Sequence, residues 1–298
     1  MTTADRVERW QRARTFHHAG FPAERLAVER DATVSVCVPA KDCAATIGPI
    51  ARELVGLVER GAIDEVLVID AESRDATSEI ARSEGARVVE EAALLPEYGP
   101  VLGKGDAMWR ALTALTGDVV VYVDGDSEDF GAHYACGLAG PIVCDPGAQY
   151  VKGFYRRPFR AGETTLAHGG GRVTELTAKP LLRRFWPELA GIRQPLAGEL
   201  AGRRSLLERL PFATGYAVET AMLLDAYAEV GLRGLAQVDL DVRQNAHQPL
   251  AALGPMADAV LGAVARRLER EGRLGAADAE GVAFTERPPM ATVQRAAA

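Results

Sequence analysis

Hydrophobic and polar positions divide the first half of the chain into short apolar runs separated by amphipathic stretches. Residues 33–41, TVSVCVPAK, form a β-branched run that stops at a proline and predict a strand. Residues 44–60 predict a helix that ends at Gly61. A second strand follows over 64–73 (DEVLVIDAES), a helix over RDATSEIARSEGA, and a third short strand over ARVVEE. Residues 104–117, KGDAMWRALTALTG, predict a helix closed by glycine, and DVVVYVDGDS a fourth strand. The apolar runs alternate little, as expected of strands covered on both faces. Strands that alternate with helices imply parallel pairing through right-handed crossovers. The second half predicts a strand over 148–159 with a basic end, then a glycine-rich loop, HGGGRVTE, at 168–175. Helices are expected over 174–185, 200–209 and 216–231, a late strand and loop over 235–250, and a last amphipathic helix over 254–272. The fold class is therefore α/β, a Rossmann-like, mostly parallel sheet flanked by helices. Residues 1–150 are expected to be a nucleotide-binding half, 151–275 an acceptor half with the last helix, and 276–298 a flexible tail.

Polar residues cluster where the predicted strands end, and ligands of such sheets collect beyond those carboxyl ends. Lys41 and Asp42 follow the first strand, Asp70, Glu72 and Ser73 the second, and Asp124 and Asp126 the fourth. Two carboxylates around Gly125 repel each other unless a hard divalent cation, Mg²⁺ or Mn²⁺, is held there. The plain alternative is a strand-ending turn, where Asp and Gly are common. Lys104, between Gly103 and Gly105 at a helix start, suits an anion, although the P-loop spacing is absent. Gly171 lets backbone approach a ligand closely, Arg172 can grip a phosphate or carboxylate, and Thr174 offers a hydroxyl or a helix cap. A small phosphorylated carboxylic acid matches that chemistry. Lys152, Arg156 and Arg157 either face the same anions or form a solvated basic edge. Glu219 lies in an otherwise apolar helix, one turn from Tyr216, and needs a partner, either a sugar hydroxyl or a basic neighbour in a plain internal salt bridge. His247 is a candidate metal ligand or an ordinary surface histidine.

The totals narrow the field. The chain has 298 residues, 48% apolar and 25% charged, with net charge −7. Nothing global points to nucleic acid or an anionic membrane, and no apolar run reaches membrane-span length. The first 20 residues read as an amphipathic helix; they are charged and lack a signal peptide's apolar core, so a cytoplasmic protein is expected. Cys37, Cys43, Cys136 and Cys144 show neither CxxC spacing nor a disulfide framework.

VPAK, IDAESRD, GKGDAMWR, VDGDS, VKGFYRRP, GGGRVTEL, QPLAGE, GYAVE and VRQNAHQPL occur in one order between about residues 5 and 260. This series resembles the actinobacterial glucosyl-3-phosphoglycerate synthase family, with its mannosyl-3-phosphoglycerate synthase relatives. The resemblance implies a retaining GT-A glycosyltransferase that moves glucose from UDP-glucose, or mannose from GDP-mannose, to the 2-hydroxyl of 3-phospho-D-glycerate. By the same resemblance Pro39, Ala40, Asp42 and Ala71 line the base and ribose pocket, Lys104 sits by the phosphates, and Asp124 and Gly125 face the nucleotide. Asp126 holds the Mg²⁺ or Mn²⁺ ion. Gly171, Arg172 and Thr174 bind phosphoglycerate, Leu196, Tyr216 and Glu219 shape the sugar and acceptor site, and Arg243 opens a segment that closes over both substrates. Lys104, Asp126, Leu196 and Glu219 form the implied catalytic set. The family order after that arginine is H-x-N, whereas this chain has Asn245-Ala246-His247; both Asn245 and His247 are candidate ligands of the metal and of the acceptor site. A homodimer is implied. The rival readings are a sugar-1-phosphate nucleotidyltransferase, whose N-terminal glycine-rich signature is missing, a non-catalytic nucleotide-sugar binder, and a polyprenyl-phosphate glycosyltransferase.

Overall fold

The computed structural model describes residues 1–144, 147–157, 159–161, 164–166, 171–243, 249–274 and 284–297. The strands are β1 Thr15–His17, β2 Val34–Ala40, β3 Glu65–Asp70, β4 Arg87–Glu90, β5 Val119–Tyr122, β6 Tyr150–Arg156, β7 Phe159–Ala161, β8 Thr164–Leu166, β9 Leu200–Arg203, β10 Phe212–Ala213, β11 Leu235–Val242 and β12 Glu286–Arg287. The helices are α1 Thr3–Arg14, α2 Ala23–Glu29, α3 Ala44–Glu59, α4 Thr77–Ser83, α5 Lys104–Ala111, α6 Ala132–Val143, α7 Lys179–Phe185, α8 Arg204–Leu207, α9 Val218–Gly234, α10 Leu250–Arg270 and α11 Met290–Ala297. Eight strands form one sheet in the order β1-β11-β6-β9-β5-β2-β3-β4, parallel except for β9. That sheet runs through both halves of the chain.

Each central strand feeds two cores, which is why the apolar runs barely alternate. Val36, Val38, Val68 and Val121 face one side, with Ile47, Ile50 and Leu54 of α3 and Leu138 of α6. Cys37, Leu67, Ile69, Val120 and Tyr122 face the other, with Met108 and Trp109 of α5 and Met222 and Leu223 of α9. Burial on both faces removes the polar alternation of a half-exposed sheet. The expected parallel α/β architecture is present.

Three stretches differ from the sequence expectation. The helix expected over 200–209 is instead strand β9 followed by the single turn α8. Strands β5 and β6 stand apart with inner edges that need partners, and β9 fills the gap antiparallel to both, Val120 opposite Gly202 and Val151 opposite Ala201. Backbone pairing in the middle of the sheet takes Leu200–Arg203 out of the expected helix, and only the residues after them turn helical. The amphipathic N-terminal stretch is helical only to Arg14; β1 then pairs with β11. The tail expected to be flexible contains β12, paired with β10, and α11, whose Met290 is fully buried. Its stop signal, Gly272, is real, but Arg287 beyond it reaches a buried aspartate and anchors the chain end.

Candidate functional site

The carboxyl ends of β2, β3 and β5 lie side by side and carry the residues expected to receive a nucleotide. Pro39 pairs with Ile69 and Ala40 with Asp70 across β2 and β3. Ala71 N–H donates to the Ala40 carbonyl at 2.9 Å, and Asp42 N–H to Ser73 Oγ at 3.0 Å. Asp42 and Glu72 adopt left-handed backbone conformations, with φ of 49° and 55°, as the chain turns sharply off each strand. Gly125 is buried against this edge, and its carbonyl accepts from Thr46 Oγ1 at 2.7 Å. Pro39, Ala40, Asp42, Ala71 and Gly125 thus share one rim.

A network of charged side chains lies under the rim. Lys104 Nζ at the start of α5 donates to Asp124 Oδ1 at 2.5 Å and to Glu219 Oε1 on α9 at 3.0 Å. Arg243 Nη1 donates to Asp124 Oδ2 and Nη2 to Asp126 Oδ1, both at 3.0 Å. Arg243 also donates to the Tyr155 hydroxyl at 3.1 Å and to Glu199. Lys152 is fully buried and donates to the Ala197 carbonyl. The exposed basic edge considered for Lys152 is therefore absent at that residue; its neighbour Arg156 points outward to Asp241. Burial pulls Lys104 down, but the charges of Asp124 and Glu219 outweigh it and hold the ammonium above the usual lysine range. Burial pushes Asp124 up, yet Lys104 and Arg243 overcome that and leave it well below the ordinary carboxylate range. Lys152, with burial dominant over the field of Glu219, is drawn down to about 8. Lys104, Lys152 and Arg243 together face Asp124, Asp126, Glu199 and Glu219, so the carboxylates exceed the cations by one. The excess reaches solvent at Asp126, whose side chain is 69% exposed.

Local backbone geometry explains how Arg243 arrives. The pairing of β11 with β6 slips between Asp239 and Val242, and Asp241 there has φ of 67°. A bulge of this kind re-aims the residues after it. His18 Nε2 meets Asp241 Oδ2 at 2.7 Å and holds the bulge, with His17 Nε2 3.5 Å from Asp241 Oδ1. His17 Nδ1 accepts the Ala19 N–H at 3.2 Å. Its proton then lies on Nε2, so His17 offers Asp241 a donor rather than a lone pair for a metal. Gly198 is as specific as any charged residue here: a Cβ on it would lie 2.5 Å from both Asp124 oxygens and from Lys104 Nζ.

The predicted residues fall into three groups. Lys104, Asp124, Asp126, Glu219 and Arg243 are joined directly. Tyr216 is exposed on the turn before α9, and its neighbour Gly215 packs against Gly103, next to Lys104. Leu196 is half-buried just before Ala197 and Gly198. Gly171, with φ of 74°, starts the turn that leads through half-buried Arg172 to buried Thr174, whose Oγ1 faces the position a Gly171 Cβ would take. Asn245 and His247 lie outside the described residues. Sequence reasoning did not single out Glu199, Tyr155 or Gly198. The motifs KGFYRRP and QPLAGE contain them, but nothing local says that those stretches meet.

A family model described as Glycosyl transferase family 2 matches residues 35–134. The curated glucosyl-3-phosphoglycerate synthase of Mycolicibacterium smegmatis is 41% identical over 284 residues, covering 91% of this chain and 93% of that protein. The crystal structure of mannosyl-3-phosphoglycerate synthase from Rubrobacter xylanophilus is similar with a TM-score of 0.88 and 45% identity, over 96% of this chain and 98% of that one. Glucosyl-3-phosphoglycerate synthase from Mycobacterium tuberculosis, solved with Mn²⁺, UDP-glucose and phosphoglyceric acid, superposes with a TM-score of 0.82 at 38% identity, over 94% and 98% of the two chains. With this fold, and with similarity along nearly its whole length, the chain is a GT-A glycosyltransferase and belongs to the glucosyl-3-phosphoglycerate synthase family.

Proposed function

We propose that the protein transfers glucose from UDP-glucose to the 2-hydroxyl of 3-phospho-D-glycerate, with retention at the anomeric carbon. The observation that carries this reading is the buried network in which Lys104 and Arg243 join the Asp124-Gly125-Asp126 turn to Glu219. In this reading Lys104 and Arg243 are the cationic donors for the departing diphosphate, and Glu219 is the carboxylate for a sugar hydroxyl. The rim of Pro39, Ala40, Asp42, Ala71, Asp124 and Gly125 takes the nucleotide. Gly171, Arg172 and Thr174 take the phosphoglycerate, with Tyr216, Leu196 and Arg243 around the sugar. Residues 1–150 serve the donor and 151–275 the acceptor.

The acid set fits a hard divalent cation, because Asp126, next to Asp124 in the turn, has a largely exposed carboxylate that can offer oxygen to it. Asp126 would hold Mg²⁺ or Mn²⁺, with Asn245 or His247 as a second ligand. A bound cation supplies neutralisation of the charge on the leaving diphosphate. In the transfer, the bond from the anomeric carbon to the β-phosphate oxygen breaks. The acceptor 2-hydroxyl oxygen bonds to that carbon from the face the nucleotide leaves, and its proton passes to the β-phosphate oxygen. Lys104 stays protonated and steadies the departing oxygen. Glu219 orients the sugar through hydrogen bonds.

The decisive assay measures nucleotide release from UDP-glucose and from GDP-mannose, with Mg²⁺ or Mn²⁺, with and without 3-phosphoglycerate. Release from UDP-glucose that requires 3-phosphoglycerate is expected. Preferential release from GDP-mannose favours the second donor, which the 45% identity to the mannosyl enzyme keeps in view. Binding without any release would overturn the transferase reading of this site. The family resemblance also carries the proposal of a cytoplasmic homodimer, checked by light scattering and cell fractionation. No helix among the described residues is long and apolar enough to cross a membrane.

A further inference from the structure

We infer that Glu199 and Tyr155 are positioning residues for this reaction: they hold the Arg243 guanidinium between the two aspartates of the Asp124-Gly125-Asp126 turn. The inference rests on the glycosyl-transfer reading above. Glu199 is fully buried immediately before β9, the strand inserted antiparallel into the parallel sheet. Its backbone is pinned, since Gly153 N–H donates to its carbonyl at 2.9 Å. Its side chain is pinned as well: Oε2 accepts the Tyr155 hydroxyl at 2.9 Å, and Oε1 accepts Arg243 Nη1. Tyr155 is itself gripped by the Gln194 amide. Tyr155 N–H donates to Gln194 Oε1 at 3.2 Å, and Gln194 Nε2 donates to the Tyr155 carbonyl at 2.6 Å. Gln194 and Glu199 are the two ends of the run 194–199, so one short segment braces Arg243 through two routes. The guanidinium also stands 5.4 Å from the Tyr155 ring centroid.

The physical consequence concerns how the site is shared. Arg243 is 2% exposed and touches Asp124, Asp126 and Glu199 together. Asp124 and Asp126 are the carboxylates expected to turn toward cation and diphosphate. An arginine held only by those two would pair fully with them and compete with the cation for Asp126. Glu199 supplies a carboxylate behind the guanidinium that is never offered to a ligand, so Arg243 can yield Asp126 Oδ1 without losing its buried counter-charge. Among the described residues its buried Nε–H meets no acceptor.

The test is a double-mutant cycle read by calorimetric binding of UDP with Mn²⁺, with melting temperature recorded for every variant. Glu199→Gln keeps the shape and removes the charge; it should weaken UDP binding about tenfold. Glu199→Asp should recover part of that loss. Tyr155→Phe, which deletes one hydroxyl, should cost about threefold. In an Arg243→Ala background Glu199→Gln should cost nothing further. Equal losses with and without Arg243 overturn the positioning role and leave Glu199 a structural residue. Should Glu199→Gln fail to fold, the same cycle with Tyr155→Phe decides the point. Absence of UDP binding by the wild-type protein would instead refute the functional reading itself.

Discussion

Helix α5 carries two buried ionic clusters, begun by Lys104 and Asp106, and they are built on opposite principles. Asp106 is met by Arg110 Nε at 3.2 Å, by Arg287 Nε at 2.8 Å and by Arg287 Nη2 at 2.6 Å. Leu102 N–H donates to it as well, at 2.9 Å. Other guanidinium hydrogens go to carbonyls of the 94–100 loop: Arg110 to Leu94, Leu95 and Gly99, Arg287 to Tyr98 and Pro100. Asp106 and Arg110 are fully buried. This cluster is satisfied within the chain, and it fastens the C-terminal segment and the 94–103 loop to α5. The Lys104 cluster has an excess of carboxylate and opens to solvent at Asp126. A closed network serves stability, and an open one with surplus charge serves a ligand.

Four substitutions press on that contrast. Asp126→Ala should lower transferase turnover roughly a thousandfold or more while the melting temperature holds, since the side chain is largely exposed; near-normal turnover would remove Asp126 from the site. Arg287→Ala should do the reverse. It leaves buried Asp106 with Arg110 as its one remaining counter-charge and frees the carbonyls of Tyr98 and Pro100, so urea unfolding should show a loss of about 1.5–3 kcal/mol with turnover per folded molecule retained. A small stability loss would mean that the tail is not fastened through this residue. Gly198→Ala should cut turnover about 10- to 100-fold with little change in melting, because a Cβ there displaces Asp124 and Lys104. Unchanged kinetics would show that the pair can shift at no cost.

The smallest effect is a pH dependence on the structural side. Burial, with the charge of Asp106 adding to it, raises Glu91 to about 7 from 4.5. The folded state therefore keeps a proton between those values that the unfolded state has lost. The stability this gives is complete below pH 4.5 and is lost as pH rises through 7. Glu91→Gln should accordingly match the wild type near pH 4.5 and exceed it by roughly 1–3 kcal/mol at pH 8. A constant difference across that range would contradict the assignment.

The strand-end rim of the site was legible because its signals are local. An apolar run that ends in Asp124-Gly125-Asp126 announces both a buried strand and what stands at its mouth, and Lys104 between two glycines announces a helix start. The second half of the chain was harder to read. The helical pattern of 200–209 hid β9, because its pairing partners lie more than 45 residues away. Lys152 looked like a strand-end base, yet the fold buries it under the site.

The sequence by itself determined the alternating elements, the strand ends that gather polar residues, and the series of motifs that the family shares. Those follow from periodicity and from turn chemistry, which act over a few residues. Only the tertiary structure decided that Glu199 and Tyr155 brace Arg243, that Gly198 makes room for Asp124 and Lys104, and that Arg287 closes on Asp106. Each of those contacts joins segments far apart in the chain, and a buried charge gains its partner only once the sheet has brought the two together.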